Sequence, residues 1–185
     1  MILNPAMKKL LCEYDVGEIE NIPCNDAWPV WRKEDTVGRP YWGTGSFCGM
    51  DRIPICADRN LSWLEWDGNE VHLGGYMPEE ITGVLRQALG ILGYWRKELR
   101  IKYPDVSFYL FASFDDGREL DVEEGELPAQ AVTLRFWADR GDADVLNLHT
   151  FHEWDQPAMV MHTSKTEEAL YADGTIRPME DCGRY

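Results

Sequence analysis

The sequence predicts an α+β fold: a largely antiparallel sheet, built as a hairpin and then a meander, packed on one long α-helix at about 78–102. Three observations predict it. Ile81, Val84, Leu85, Ala88, Leu92, Trp95 and Leu99 recur at helical spacing and form a single apolar stripe. Val106, Phe108, Leu110, Ala112 and Phe114 alternate with residues that are themselves mostly apolar, the pattern of a strand buried on both faces. Turn residues then separate further short apolar runs, as consecutive antiparallel strands require.

Residues 1–60 read as irregular. Pro5, Pro23, Pro29, Pro40 and Pro54, with Gly38, Gly43, Gly45 and Gly49, interrupt any long period, and short strands are expected near 8–14, 41–48 and 53–57. Trp28, Trp31 and Trp42 place this segment against a core, since large aromatic side chains favour burial. At 61–76, Leu61-Ser62-Trp63-Leu64-Glu65-Trp66 leads through Asp67-Gly68 into Asn69-Glu70-Val71-His72-Leu73, which reads as a hairpin. A three-residue loop with a glycine bulge pairs Trp63 with Val71. It is preferred because a two-residue turn sets Glu65 against Glu70, and like charges directly opposite are destabilising. Pro78 suits a first helical position, and Glu79 and Glu80 complement the positive end of the helix dipole. Arg96, Lys97, Arg100 and Lys102 gather toward the other end, and Tyr103-Pro104 stops the helix. Gly83, Gly90 and Gly93 each cost about 1 kcal/mol against alanine, which points to close approach of a neighbouring backbone. Strands are then expected at 106–114, at Leu120 and Val122, at 131–138, at 145–151 and at 158–163. The chain reads as one domain: 1–60 packed on the core, a hairpin–helix–meander core at 61–164, and a tail at 165–185.

Composition narrows the function. With 18 bases against 33 acids the net charge is −15, which opposes binding to nucleic-acid phosphates or to an anionic membrane surface. Hydrophobic residues make up 44% of the chain, enough for a core. No run approaches the ~20 apolar residues of a membrane span. The opening MILNPAMKKLLCEYD lacks the apolar stretch of about 7–15 residues that a signal peptide needs. A cytoplasmic location is expected, with Cys12, Cys24, Cys48, Cys56 and Cys182 expected as free thiols.

Catalytic signatures are missing. The glycine-rich 43–49 stretch does not open a helix, so it reads as a turn rather than a phosphate loop. His149, His152 and His162 are the candidate metal ligands. On a strand, however, positions three apart face opposite sides, so no metal and no cofactor is expected. Asp139, Asp142 and Asp144 lack the terminal bidentate glutamate of an EF-hand. No G-x-S-x-G occurs. The expected catalytic set is empty, and the chain reads as a non-enzyme.

The charge, by contrast, is located. Residues 106–185 carry 6 bases and 17 acids. Asp115, Asp116, Glu119, Asp121, Glu123, Glu124 and Glu126 form one cluster, and Asp139, Asp142 and Asp144 form a second. If Leu120–Val122 is a strand, both turns share one edge of the meander as an acidic rim. Trp137 and Trp154 supply aromatic anchors of the kind interfaces favour. Together these residues are the expected partner-binding set, and a basic protein is the expected partner.

In size, acidity and α+β make-up the chain resembles bacterial polymorphic-toxin immunity proteins of the contact-dependent inhibition type, and no family motif takes part in that resemblance. It implies a non-enzymatic inhibitor or antidote that neutralises a basic, plausibly nuclease, toxin domain through the acidic surface. Two alternatives differ in class. One is a small-molecule enzyme or ligand-binding domain with a pocket between the helix and the N-terminal segment, lined by His72, Tyr76, Trp63 and Cys48. The other is a structural or assembly subunit, for which an exposed apolar patch would argue.

Overall fold

In the computed structural model, residues 1–14, 22–24, 28–45, 55–75, 81–115, 130–141, 145–148 and 150–166 are described. The chain runs β1 (Ile2–Leu3), α1 (Pro5–Tyr14), β2 (Val30–Glu34), β3 (Pro40–Thr44), α2 (Leu61–Gly68), β4 (Val71–Gly75), α3 (Ile81–Lys102), β5 (Phe108–Asp115), β6 (Gln130–Ala138), a 3-10 turn (Phe151–Glu153) and β7 (Ala158–His162). Five strands form one antiparallel sheet in the order β1-β7-β5-β6-β4, and β2 and β3 form a separate hairpin. The fold is α+β, with β5 at the centre of the sheet as its apolar faces predict.

Strand periodicity divides the core in two. Phe108, Leu110, Ala112 and Phe114 of β5, Val132, Leu134 and Phe136 of β6, and Met159 and Met161 of β7 share one face with the α3 stripe. Leu85, Ala88, Leu92, Trp95 and Leu99 are all buried there, and each large member contributes roughly 1.5–3 kcal/mol. The Trp95 indole N–H donates to the carbonyl of Trp28 at 3.0 Å, which ties the N-terminal segment to α3. Tyr109, Phe111, Trp137 and Val160 occupy the opposite face, where Val145, Leu146, Leu148 and Phe151 cover them.

Several elements differ from expectation, each for a local reason. Residues 61–68 are helix, not the first arm of a hairpin. The Asn60 side chain caps the helix by accepting from Trp63 N, and Asn69 N–H closes its far end on Glu65 O. β4 therefore pairs with β6, with Val71 opposite Leu134, and Trp63 pairs with nothing across a turn. Residues 8–14 are also helical. Asn4 is the cap, with its Oδ1 accepting from Met7 N at 2.8 Å, and Pro5 follows at the first helical position. Residues 55–57 are not strand.

The meander is replaced by a crossover. Both β6 and β7 pair antiparallel with β5, on opposite sides, so they run the same way. The chain between them must return along the length of β5. Its apolar residues at 145–148 and 151 cover the sheet instead of joining it, as turns and a 3-10 segment rather than the expected strand. Leu120, Val122 and the helix start at 78–80 lie outside the described residues.

Candidate functional site

The buried polar chemistry concentrates where α2 meets β3 and β6. Glu65 has no exposed surface, and its carboxylate accepts four hydrogen bonds. Trp42 N donates to Oε1 at 2.9 Å and Ala138 N to Oε2 at 2.7 Å. The Arg140 guanidinium supplies the other two, at 2.6 and 2.8 Å. One turn later, Asn69 Oδ1 accepts from Thr44 N while its Nδ2 donates to the carbonyls of Trp42 and Phe136. Two side chains four residues apart on one helix face thus satisfy backbone groups of both strands where the strands do not pair with each other. Burial pushes the Glu65 carboxyl above its ordinary value, and the hydrogen bonds from Arg140, Ala138 and Trp42 pull it back. A carboxylate with every lone pair engaged has no direction left in which to take a substrate proton. This site is a structural joint.

A second cluster combines catalytic residue types. Asp139 Oδ2 meets His162 Nε2 at 3.2 Å, and Ser164 Oγ lies 3.3 Å from His162 Nδ1. Nδ1 also accepts the backbone N–H of Lys165 at 2.8 Å and of Ser164 at 3.1 Å. Nδ1 is therefore the acceptor nitrogen, and Nε2 carries the proton that Asp139 receives. With that lone pair committed to the backbone, His162 cannot activate Ser164 as a nucleophile. Its ring is buried edge-on to Tyr109, at 4.7 Å between centroids. The hydrogen bond from His162, then Lys165, lower the Asp139 carboxyl to about 2 from 3.8, against the effect of burial.

The residues proposed from sequence separate in space. Asp115 ends β5 opposite Ala131 and is exposed. Asp139 follows the other end of the β5–β6 ladder, where Phe108 faces Ala138 and Asp139 N–H donates to Ser107 O. Seven residue-to-residue rises along β5, roughly 23 Å, separate those ends. Asp115 and Asp139, one from each acidic cluster, thus leave the sheet at opposite ends; the strand at Leu120–Val122 on which a shared rim depends lies outside the described residues. Asp139 is occupied within the molecule by His162 and Lys165. Trp137 is buried against Trp66 and stacks on Tyr109. Trp154 is half-buried against Phe111 and Phe151. Asp116, Glu119, Asp121, Glu123, Glu124, Glu126, Asp142, Asp144 and His149 lie outside the described residues, as do Tyr76 and Cys48.

His152 lies beside Glu153 at 3.6 Å, far along the chain from the His162 clamp. Among the described residues no three His, Cys, Asp or Glu side chains gather as metal ligands. Cys12 and Cys56 are exposed free thiols, and Cys24 is half-buried. No described helix is long and apolar enough to cross a membrane.

Neither His72 nor Trp63 is among the described residues that border the cavity beside α3. Val71 and Leu73 face the helix, so His72 between them points to the opposite side of β4. There it meets Thr133 Oγ1 at 3.1 Å and pairs with Glu70, which also pairs with Arg135. Trp63 is 44% exposed on α2.

A cavity exists between the long helix and the N-terminal segment. It encloses about 750 Å³ between Ile22 and Cys24 on one side and Gly90, Gly93, Tyr94 and Lys97 on the other. A side chain at Gly90 would come within 2.8 Å of the carbonyl of Pro23, so this glycine lets the 22–24 backbone lie on α3. A smaller cavity of about 380 Å³ lies by Arg39, Trp42, Leu61 and Arg140. No protein-family model, curated protein or solved structure matches the chain.

Proposed function

We propose that the protein is a non-enzymatic, cytoplasmic inhibitor that binds a basic protein partner through an acidic surface, in the manner of an immunity protein that neutralises a toxin domain. The observation that carries this reading is the placing of charge: seven acids and one base occupy 115–126, from the last residue of β5 into the connection that leads to β6. Concentrated like charge destabilises the chain that carries it, and it speeds encounter with an oppositely charged partner by about 10–10³-fold. Because Asp139 and Trp137 are occupied inside the molecule, the contact surface centres on Asp115, Asp116, Glu119, Asp121, Glu123, Glu124 and Glu126.

The test is affinity capture from the native host at low and high ionic strength, using the wild type and the variant D115K/D116K/E119K/E123K. A basic protein held by the wild type at low salt, released at high salt and lost by the variant supports the reading. Capture that is indifferent to salt and to charge reversal overturns it.

A second reading, a ligand-binding domain, is favoured by the cavity between α3 and Ile22–Cys24, the place expected for a pocket but with different lining residues. Its size falls within the roughly 300–1,000 Å³ of small-molecule sites.

A further inference from the structure

The face of α3 that borders this cavity is distinct from the stripe that packs the sheet. Gly90, Gly93, Tyr94, Lys97 and Ile101 recur at helical spacing on that face, and Arg96 and Arg100 flank it. The wall is therefore divided by chemistry. Ile22, Cys24 and Met161 are apolar, the two glycines leave space, and cations stand along one side.

Three features of this arrangement are not explained by packing. First, in a chain with 33 acids and 18 bases, six of the eleven described bases outside the cavity form ion pairs, Lys102 with Glu98 on the same helix among them. Lys97 and Arg100 border the cavity, and neither pairs with a carboxylate among the described residues. Second, the helix dipole accounts for cations only in the last turn. Arg100 and Lys102 lie in that turn of α3, and Lys97 precedes it. Third, Gly90 has a backbone neighbour that requires it, and Gly93 lines the cavity. A glycine inside a helix costs about 1 kcal/mol against alanine, and any side chain at 93 would take up part of the cavity.

We propose that this cavity binds an organic anion whose carboxylate or phosphate meets Lys97 and Arg100 while its apolar body lies against Ile22, Cys24 and Met161. The inference rests on the ligand-binding reading and adds the class of ligand. Inorganic phosphate alone would leave the apolar wall unused, and a neutral apolar molecule would leave the two cations unmatched.

The test is calorimetric titration of the full chain with monomeric decanoate, decanol, inorganic phosphate and vesicles of anionic phospholipid. The wild type, K97E/R100E and G93L are compared, and circular dichroism melts establish that each variant is folded. Saturable single-site binding of decanoate is expected, with decanol about tenfold weaker. K97E/R100E weakens decanoate about tenfold and leaves decanol unchanged, and G93L removes both. The charge variants alter exposed positions, so they remain informative if G93L does not fold.

Equal binding of decanoate and decanol, unaffected by K97E/R100E, overturns the anion assignment while leaving a ligand pocket in place. Binding of neither molecule overturns both. Binding of vesicles without binding of monomeric decanoate overturns the soluble ligand in favour of a lipid surface. Decanoate binding that a folded G93L retains overturns the location.

Discussion

Two Glu–Arg pairs join the α2 region to the end of β6 and the residues just after it, and they differ in nearly everything except composition. Glu65 pairs with Arg140 at 2.6 Å, with side-chain exposures of 0% and 23%. Glu70 pairs with Arg135 nearer the surface, with exposures of 26% and 16%. In both, the arginine also covers a tryptophan: Arg140 lies 5.5 Å from the Trp42 ring and Arg135 lies 4.6 Å from the Trp66 ring. The inner carboxylate is further committed to two backbone N–H groups on two strands, while the outer one shares itself with exposed His72. Distance and partner type are therefore poor guides to what such a pair contributes. The number of groups left unsatisfied when it breaks is the better guide.

The sharpest test of that contrast is R140A. Removing the guanidinium takes away two of the four hydrogen bonds that hold the enclosed Glu65 carboxylate, and urea unfolding should show a loss of about 3–5 kcal/mol. The double variant E65L/R140M removes both charges but orphans the Trp42 and Ala138 N–H groups. It should remain less stable than wild type by about 1–3 kcal/mol per orphaned group. A double variant as stable as wild type would mean that those backbone bonds contribute nothing.

Asp139 next to Arg140 extends the comparison to pH. Its folded value of about 2 lies below its ordinary 3.8, so it contributes stability that is complete above pH 3.8 and is lost as pH falls toward 2. D139N should therefore be about 2 kcal/mol less stable than wild type at neutral pH, with the difference closing as pH approaches 2. A difference that does not vary with pH would break the assignment to His162 and Lys165.

At the outer pair, E70A should cost about 1 kcal/mol or less, and added salt should reduce that cost further. A loss equal to that of R140A would erase the distinction between the pairs. The same contrast of enclosed and open positions recurs on α3 with the smallest effects. G83A meets nothing within 4 Å and should gain up to about 1 kcal/mol. G90A should lose stability in thermal unfolding, because its methyl group would meet the Pro23 carbonyl.

The elements that were legible in the sequence are those whose own periodicity exceeds any local ambiguity. The α3 stripe and the alternation in β5 and β6 are of this kind. α1 and α2 were not legible as helices although both start on an asparagine cap, Asn4 and Asn60. In α2 the aromatic content of Leu61–Trp66 and the Asp67-Gly68 pair carried a stronger strand-and-turn signal than the cap did. Its sides face different neighbours: Leu61 and Leu64 join Tyr41 and Ile55, while Trp66 joins Phe111 and Trp137. No single apolar stripe could announce such a helix. The Asn-Pro and Asn-x-x-Trp starts were the available signals. The wall that Ile22 and Cys24 form against Gly90 was not legible in the sequence, because Pro23 seated on Gly90 is a contact across 67 residues of chain.

The sequence by itself determined the long helix, the central strands and the distribution of charge, since each is a property of neighbours along the chain. Tertiary structure alone decided which charges matter. It buried Glu65 among four donors, drew Asp139 to His162, set Asp115 and Asp139 at opposite ends of the β5–β6 ladder, and left Lys97 and Arg100 beside open space. The physical reason is that the energy of a charge depends on its surroundings, and these surroundings are assembled from segments that the chain brings together only when it folds.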